Sequence, residues 1–142
     1  MATQTRRIGY RITKCKELSF EFKSFPDFKL TERNVSFQYS CSIEQAGDSA
    51  IRFIFDVFYS ANGEQLFRQK AESIFSIEPI EGAIDFIPDG RVIDHIDIIP
   101  TLIGLSYSAL RGMISIRTAN TPLENFPAPI INAADLAKKM IQ

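Results

Sequence analysis

The residues that could do chemistry are few and far apart. The single histidine, His95, lies in Ile93-Asp94-His95-Ile96-Asp97, where an imidazole among carboxylates could act as a general base or a metal ligand. A metal site needs several convergent ligands, and no Cys/His cluster with metal-ligand spacing accompanies it. His95 is therefore expected to be a polar residue at a helix start. Ser106 and Ser108 lack the G-x-S-x-G setting of a hydrolase nucleophile. No glycine-rich loop that could cradle phosphate is present. Glu78/Glu81 and Asp94/Asp97 could be acid–base carboxylate pairs, yet they read more simply as solvated loop and helix-start charges. Two cysteines, Cys15 and Cys41, are too few for a disulfide scaffold and are expected to be free, buried thiols in strands. The expectation is a binding protein rather than an enzyme, with no catalytic residue, no metal and no cofactor.

Binding by apolar contact suits the composition. The chain has 142 residues, enough for one domain, 1–142, with a real core. A formal net charge of -1 argues against a nucleic-acid surface, which would need an excess of Lys and Arg. There are 12 Phe, 4 Tyr and no Trp, so much apolar surface must be hidden in the core, in a partner, or in both. Arg6 and Arg7 are followed by alternating polar and apolar residues, so no signal peptide is expected. No stretch reads as the ~18 apolar residues of a membrane span. A cytoplasmic protein that binds neither membrane nor nucleic acid is expected.

The elements that must present the apolar surface change character half-way. In the first half apolar residues recur with period two: Ile8, Tyr10, Ile12; Leu18, Phe20, Phe22; Val35 to Ile43; Ile51 to Tyr59; and Phe67, Ala71, Phe75, Ile77. Such alternation predicts four strands, each with one buried face. Asn62-Gly63 between two of these runs is a strong hairpin signal, and Gln45 to Asp48 is a further turn. On the fourth strand's outer face, with the third's, Ile54, Phe58 and Leu66 interrupt a row of charges. The link from Lys23 to Asn34 is apolar for a loop, with Phe25, Pro26, Phe28 and Leu30.

The second half changes period. Ile80 to Asp89 reads as a loop, and Val92 to about Arg117 as a helix broken or bent at Pro100. Between Ile98 and Leu110 no residue is charged. Thr101, Gly104, Ser108, Gly112 and Ser115 fall on one narrow stripe of small residues, opposite a broad apolar arc of Ile99, Leu102, Ile103, Leu105, Leu110, Met113 and Ile114. A helix that avoids charge all round is a buried helix. A sheet covers one side only, so the stripe is expected to be an oligomer interface. After a proline-containing loop, Asn132 is expected to cap a short helix, Ala133 to Ile141. Strands first and helices second predict α+β, with the long and the short helix on one face of a four-stranded antiparallel sheet.

The order of these segments resembles SecB, the bacterial protein-export chaperone, and its divergent relatives. Thr13-Lys14-Cys15-Lys16-Glu17-Leu18-Ser19-Phe20-Glu21 is similar to the family's first-strand run T-K-D-I-S-F-E. Ser73 to Gly82, SIFSIEPIEG, is similar to G-I-F-S-I-x-G-I-E. Ile99-Pro100 followed by Arg111-Gly112 resembles the F-P and R-G of the family's long helix, and Phe126 to Asn132, FPAPIIN, its L-A-P-V-N. The resemblance implies an ATP-independent holdase, assembled as a dimer of dimers with long helices stacked between them. It implies that unfolded polypeptide clients lie in an apolar groove lined by Phe25, Phe28 and Leu30 and, opposite them, Leu136, Met140 and Ile141. On the sheet it implies a surface for the export ATPase SecA, at Glu17, Glu21 and Leu66. Arg68 reverses the charge of the remaining acidic position there and would oppose a basic partner. A divergent relative serving a dedicated partner, such as the antitoxin of a toxin–antitoxin pair, is the corresponding expectation. The alternative class is a structural or regulatory oligomer that binds one specific partner.

Overall fold

The computed structural model describes residues 8–142, so Arg6 and Arg7 of the N-terminal reading lie outside the described residues. Four long strands form one antiparallel sheet: β1 (Gly9–Phe22), β2 (Val35–Gln45), β3 (Ala50–Ala61) and β4 (Glu64–Glu78), in the order β1-β4-β3-β2. The hairpin between β3 and β4 turns on Asn62 and Gly63, with φ of 50° and 83°. Both central residues need the left-handed region in this turn, and Asn-Gly supplies it at least cost. A small hairpin, β5 (Ile84–Phe86) and β6 (Val92–Asp94), leads to the long helix α1 (Ile99–Thr118). One 3-10 turn (Pro122–Asn125) and the short helix α2 (Ala133–Met140) complete the chain.

The core lies between the sheet and the helices. Phe53, Phe55, Val57 and Tyr59 of β3 and Phe67 and Phe75 of β4 project to the same side and are buried under Ile99, Leu102, Ile103, Leu110 and Ile114 of α1. Phe53 and Phe75 meet edge-to-face with centroids 5.8 Å apart. Each such side chain removed from water contributes roughly 1.5–3 kcal/mol.

Five expectations change. Pro100 opens α1 instead of bending it, because the first turn needs no donor from it. The residues before it, Val92–Asp94, are strand, and part of the expected Ile80–Asp89 loop is β5. Leu105 leaves the apolar arc and is 46% exposed, while Tyr107 takes a buried place on it. In length and apolar composition α1 does reach the minimum for a membrane-crossing helix. One of its sides is packed on the sheet, as in the core helix of a two-layer domain.

α1 is anchored at both ends. Asp94 caps it from outside the helix: its carboxylate accepts from Ile98 N at 3.1 Å and Ile99 N at 2.8 Å. At the other end, Arg117 donates to both oxygens of Glu17 on β1, and its guanidinium lies 3.6 Å from the centre of the Phe20 ring. α2 is capped as its sequence predicts, with Asn132 Oδ1 accepting from Asp135 N at 3.1 Å.

Candidate functional site: two apolar clefts on the helical side

Two bulges decide what β1 presents. Thr13 and Leu18 are skipped in the pairing with β4. Each bulge reverses the alternation, so Tyr10, Ile12, Phe20 and Phe22 share the helical side, with Cys15 and Glu17 between them. α1 does not cover this row: Tyr10, Ile12, Phe20 and Phe22 are 36–48% exposed. Cys15 is exposed, not buried as expected, and Cys41 on β2 is half-buried, with its thiol pushed up to about 12 by burial.

The expected sheet-face trio separates. Glu21 lies on the outer face opposite Arg68. Glu17 is turned to the helical side, where it accepts from Gln69 and Arg117; the Arg117 hydrogen bonds hold its carboxyl below the usual range against the opposing effect of burial. Leu66 is itself the extra residue of a bulge in β4 and is buried. A strict period of two cannot foresee these bulges. The outer face is a lattice of ion pairs: Arg68 with Asp56, and Arg52 and Lys14 with the buried carboxylate of Glu72. Burial pushes the Glu72 carboxyl up, and Arg52 and Lys14 outweigh it, leaving the net shift downward.

The expected client groove divides into two clefts. The first, of about 450 Å³, is lined by Phe25, Phe28, Lys29 and Leu30 of the crossover and by Pro122 and Phe126 after α1. The crossover is held at its ends: Lys23 N donates to Leu66 O at 2.9 Å, and Asn34 Nδ2 donates to Lys29 O at 2.9 Å. Phe25 is half-buried with its ring 6.1 Å from that of Phe22, and Phe28 is 42% exposed.

The second cleft, of about 610 Å³, runs between β2 and α2. Phe37, Gln38, Tyr39, Ser40 and Cys41 line one side, and Leu136, Lys139 and Met140 the other. The spacing of those three on α2 puts them on one helical face. Between the clefts stands an aromatic seam. Tyr59 donates to Phe126 O at 2.6 Å and packs on Phe37 at 5.1 Å, and Tyr107 donates to Pro129 O at 2.5 Å beside Tyr39. Desolvation pushes the Tyr107 hydroxyl up to about 12, so it stays a donor at physiological pH. Leu136 and Met140 thus face β2 rather than Phe25 and Phe28. Ile141 lines neither cleft; it bridges to Val92 on the β5–β6 hairpin. The aromatic residues Phe37, Tyr39 and Tyr107 were not singled out in the sequence. They sit in regular apolar patterns, and nothing in a pattern says which members stay uncovered.

The small stripe of α1 faces outward. Thr101, Ser108, Gly112 and Ser115 are exposed, and Leu105 and Ile116 flank them at 46% and 77% exposure. Gly104 is half-buried, its nearest neighbour being Ala133 of α2. Among the described residues no group of three or more His, Cys, Asp and Glu could hold a metal. His95 Nε2 lies 2.7 Å from Asp85 Oδ2, both side chains exposed, in the loop before α1.

The solved structures similar to this chain include one that matches across most of it. It is Rv1957 of Mycobacterium tuberculosis, a SecB-like chaperone, in complex with a ChAD peptide from the Rv1956 HigA1 antitoxin. The two share a TM-score of 0.52 and 11% identity, over 86% of this chain and 89% of that one. The fold is SecB-like. The SecB-like sheet and helix pair are therefore common to both chains at a sequence identity too low to carry side-chain roles across. No protein-family model and no curated protein matches.

Proposed function

We propose that this protein is an ATP-independent chaperone of the holdase type, which binds non-native or partner polypeptide segments in the two clefts beside the aromatic seam. The observation that carries this is the pair of open apolar clefts on one side of the sheet, in a domain whose titratable groups converge nowhere on a reaction centre among the described residues. Clefts floored by Phe, Tyr, Leu and Met, with few charges, suit extended apolar chains with little sequence preference. The antitoxin peptide held by the SecB-like chaperone of similar fold supports a dedicated client, such as an antitoxin, over a general role in export. The working location is the cytoplasm.

Self-association belongs to this reading. The uncovered stripe of α1 and the exposed apolar row on β1 are linked where Arg117 lies over Phe20, and together they support contact with a second copy of the chain. A homotetramer built as a dimer of dimers is the assembly proposed.

The test is alanine at Phe25 and Phe28 together, with suppression of aggregation of a denatured client as the readout. Weaker suppression with unchanged oligomeric mass and circular dichroism supports the proposal. Full protection by the folded double variant would move client binding away from the first cleft.

A further inference from the structure

The tip of the β3–β4 hairpin brings together the parts of a covalent reaction. Of the asparagines Asn34, Asn62, Asn120, Asn125 and Asn132, only Asn62 is followed by glycine. Asn62 and Gly63 are both exposed, with φ of 50° and 83°. The amides of Asn34 and Asn132 are held: Asn34 Oδ1 accepts from Thr31 N at 2.8 Å, and Asn132 Oδ1 from Asp135 N at 3.1 Å. The Asn62 side chain has no such partner among the described residues, and Gly63 N donates to no group there. Gly63 has no Cβ to screen its nitrogen, and nothing lies within 4 Å of where one would stand.

The tip is also weakly tied down. The bulge after Tyr59 interrupts the ladder, and beyond it only Ser60 with Gln65 and Ala61 with Glu64 are paired. Such an end opens locally at low cost, which lets the reacting atoms sample the geometry they need. One contact links the tip to the crossover: Asn62 N donates to Asn34 O at 3.3 Å. Asn34 is the post on which the crossover closes. It binds Thr31 in both directions, its Nδ2 donates to Lys29 O at 2.9 Å, and Lys29 and Leu30 line the first cleft.

We propose that Asn62 is a self-modifying site, whose conversion to isoaspartate loosens the crossover beside the first cleft. Gly63 N attacks the Asn62 side-chain carbonyl carbon. A carbon–nitrogen bond forms, the bond to the side-chain nitrogen breaks, and the Gly63 proton leaves with it as ammonia. Water then opens the cyclic imide at either carbonyl, giving aspartate or isoaspartate. No oxidant, reductant or second protein is consumed. Isoaspartate routes the main chain through the side-chain carbon and lengthens a turn whose register allows two residues only, so the contact with Asn34 is lost. This holds whatever the first cleft binds.

The experiment ages the full chain in mildly alkaline buffer and maps it by proteolysis and mass spectrometry, with an isoaspartate-specific methyltransferase as the second readout. Asn62 should gain the mass of an amide-to-acid exchange several-fold faster than the other four asparagines. Asn120 is the internal control for backbone conformation, with φ of 63° but Thr121 after it. Asn62→Gln, which keeps an amide at the tip but disfavours ring closure, should not convert at this position. Equal rates at Asn62 and the other asparagines, or aspartate as the sole product, overturn the site. The isoaspartate form, separated by ion exchange, should show faster hydrogen exchange over residues 29–35 and unchanged exchange in α1. Unchanged exchange over 29–35 overturns the link to the crossover. Faster exchange throughout the chain overturns it as well, because the turn would then hold the whole fold.

Discussion

At the scale of single residues, environment decides chemistry that residue type leaves open. Cys15 and Cys41 occupy similar strand settings in the sequence, yet one thiol is exposed and the other is raised by burial to about 12. Thiolate is the reactive form, so alkylation near pH ~8 should label Cys15 well before Cys41. Cys15→Ser should abolish the fast phase, as mass spectrometry would show. Glu17 and Glu72 both have lowered carboxyl values, held down by Arg117 and by Arg52 with Lys14. A carboxyl whose folded value is depressed stabilises the fold fully above its unfolded value, ordinarily 4.5 for glutamate, and loses that contribution as pH falls through the lowered folded value. Acid denaturation should therefore steepen below pH 4.5. Glu72→Gln should flatten that part of the curve while lowering stability at neutral pH. A variant curve parallel to wild type would remove Glu72 from the account.

At the scale of elements, a few positions set where helices begin and strands turn. Asp94 serves α1 from four residues outside it, binding the N–H groups of Ile98 and Ile99. Asp94→Ala should cost roughly 1–2 kcal/mol in urea unfolding, with Asp94→Asn milder, because the amide oxygen can still accept. Gly63 holds φ at 83° in the tight turn, and Gly63→Ala should cost a further ~1–2 kcal/mol for placing a Cβ in the left-handed region. If Gly63→Ala were neutral, the turn would not have the geometry described. The β1 bulges act at this scale too. They leave two apolar pairs, Tyr10 with Ile12 and Phe20 with Phe22, on one face and place Glu17 under α1 for Arg117 to hold.

At the scale of the whole molecule, the question is what covers the apolar surface that one chain leaves open. The stripe at Thr101, Gly104, Ser108, Gly112 and Ser115 would let another backbone approach closely, and no Cβ neighbour fills the space at Gly112. Ser108→Arg should reduce the mass measured by light scattering while leaving the fold intact, since Ser108 is exposed in the single chain. A monodisperse wild-type monomer at micromolar concentration would end the assembly proposal. Phe20→Lys offers an independent check on β1: dissociation by it but not by Ser108→Arg would put the contact on the sheet rather than on α1.

The order of elements was legible from one dimension. Period-two alternation of Phe, Ile, Val and Tyr, Asn62-Gly63 between two such runs, and a charge-free stretch from Ile98 to Leu110 are local signals of strand, hairpin and buried helix. Asn132 as the cap of α2 was equally local. The site was only half legible. Phe25 and Phe28 stood out because a loop has little use for them, but their separation from Leu136 and Met140 by the Tyr59–Phe126 seam depends on how the crossover and α2 settle on the sheet. Bulges at Thr13, Leu18 and within β4 reversed the faces of Glu17 and Leu66, because one extra residue shifts every side chain beyond it. Pattern determined which residues are apolar and in what element. Tertiary packing alone decided which of them stay uncovered, since exposure depends on the width of the helical layer, which ends short of β1 on one side and of the β2 edge on the other.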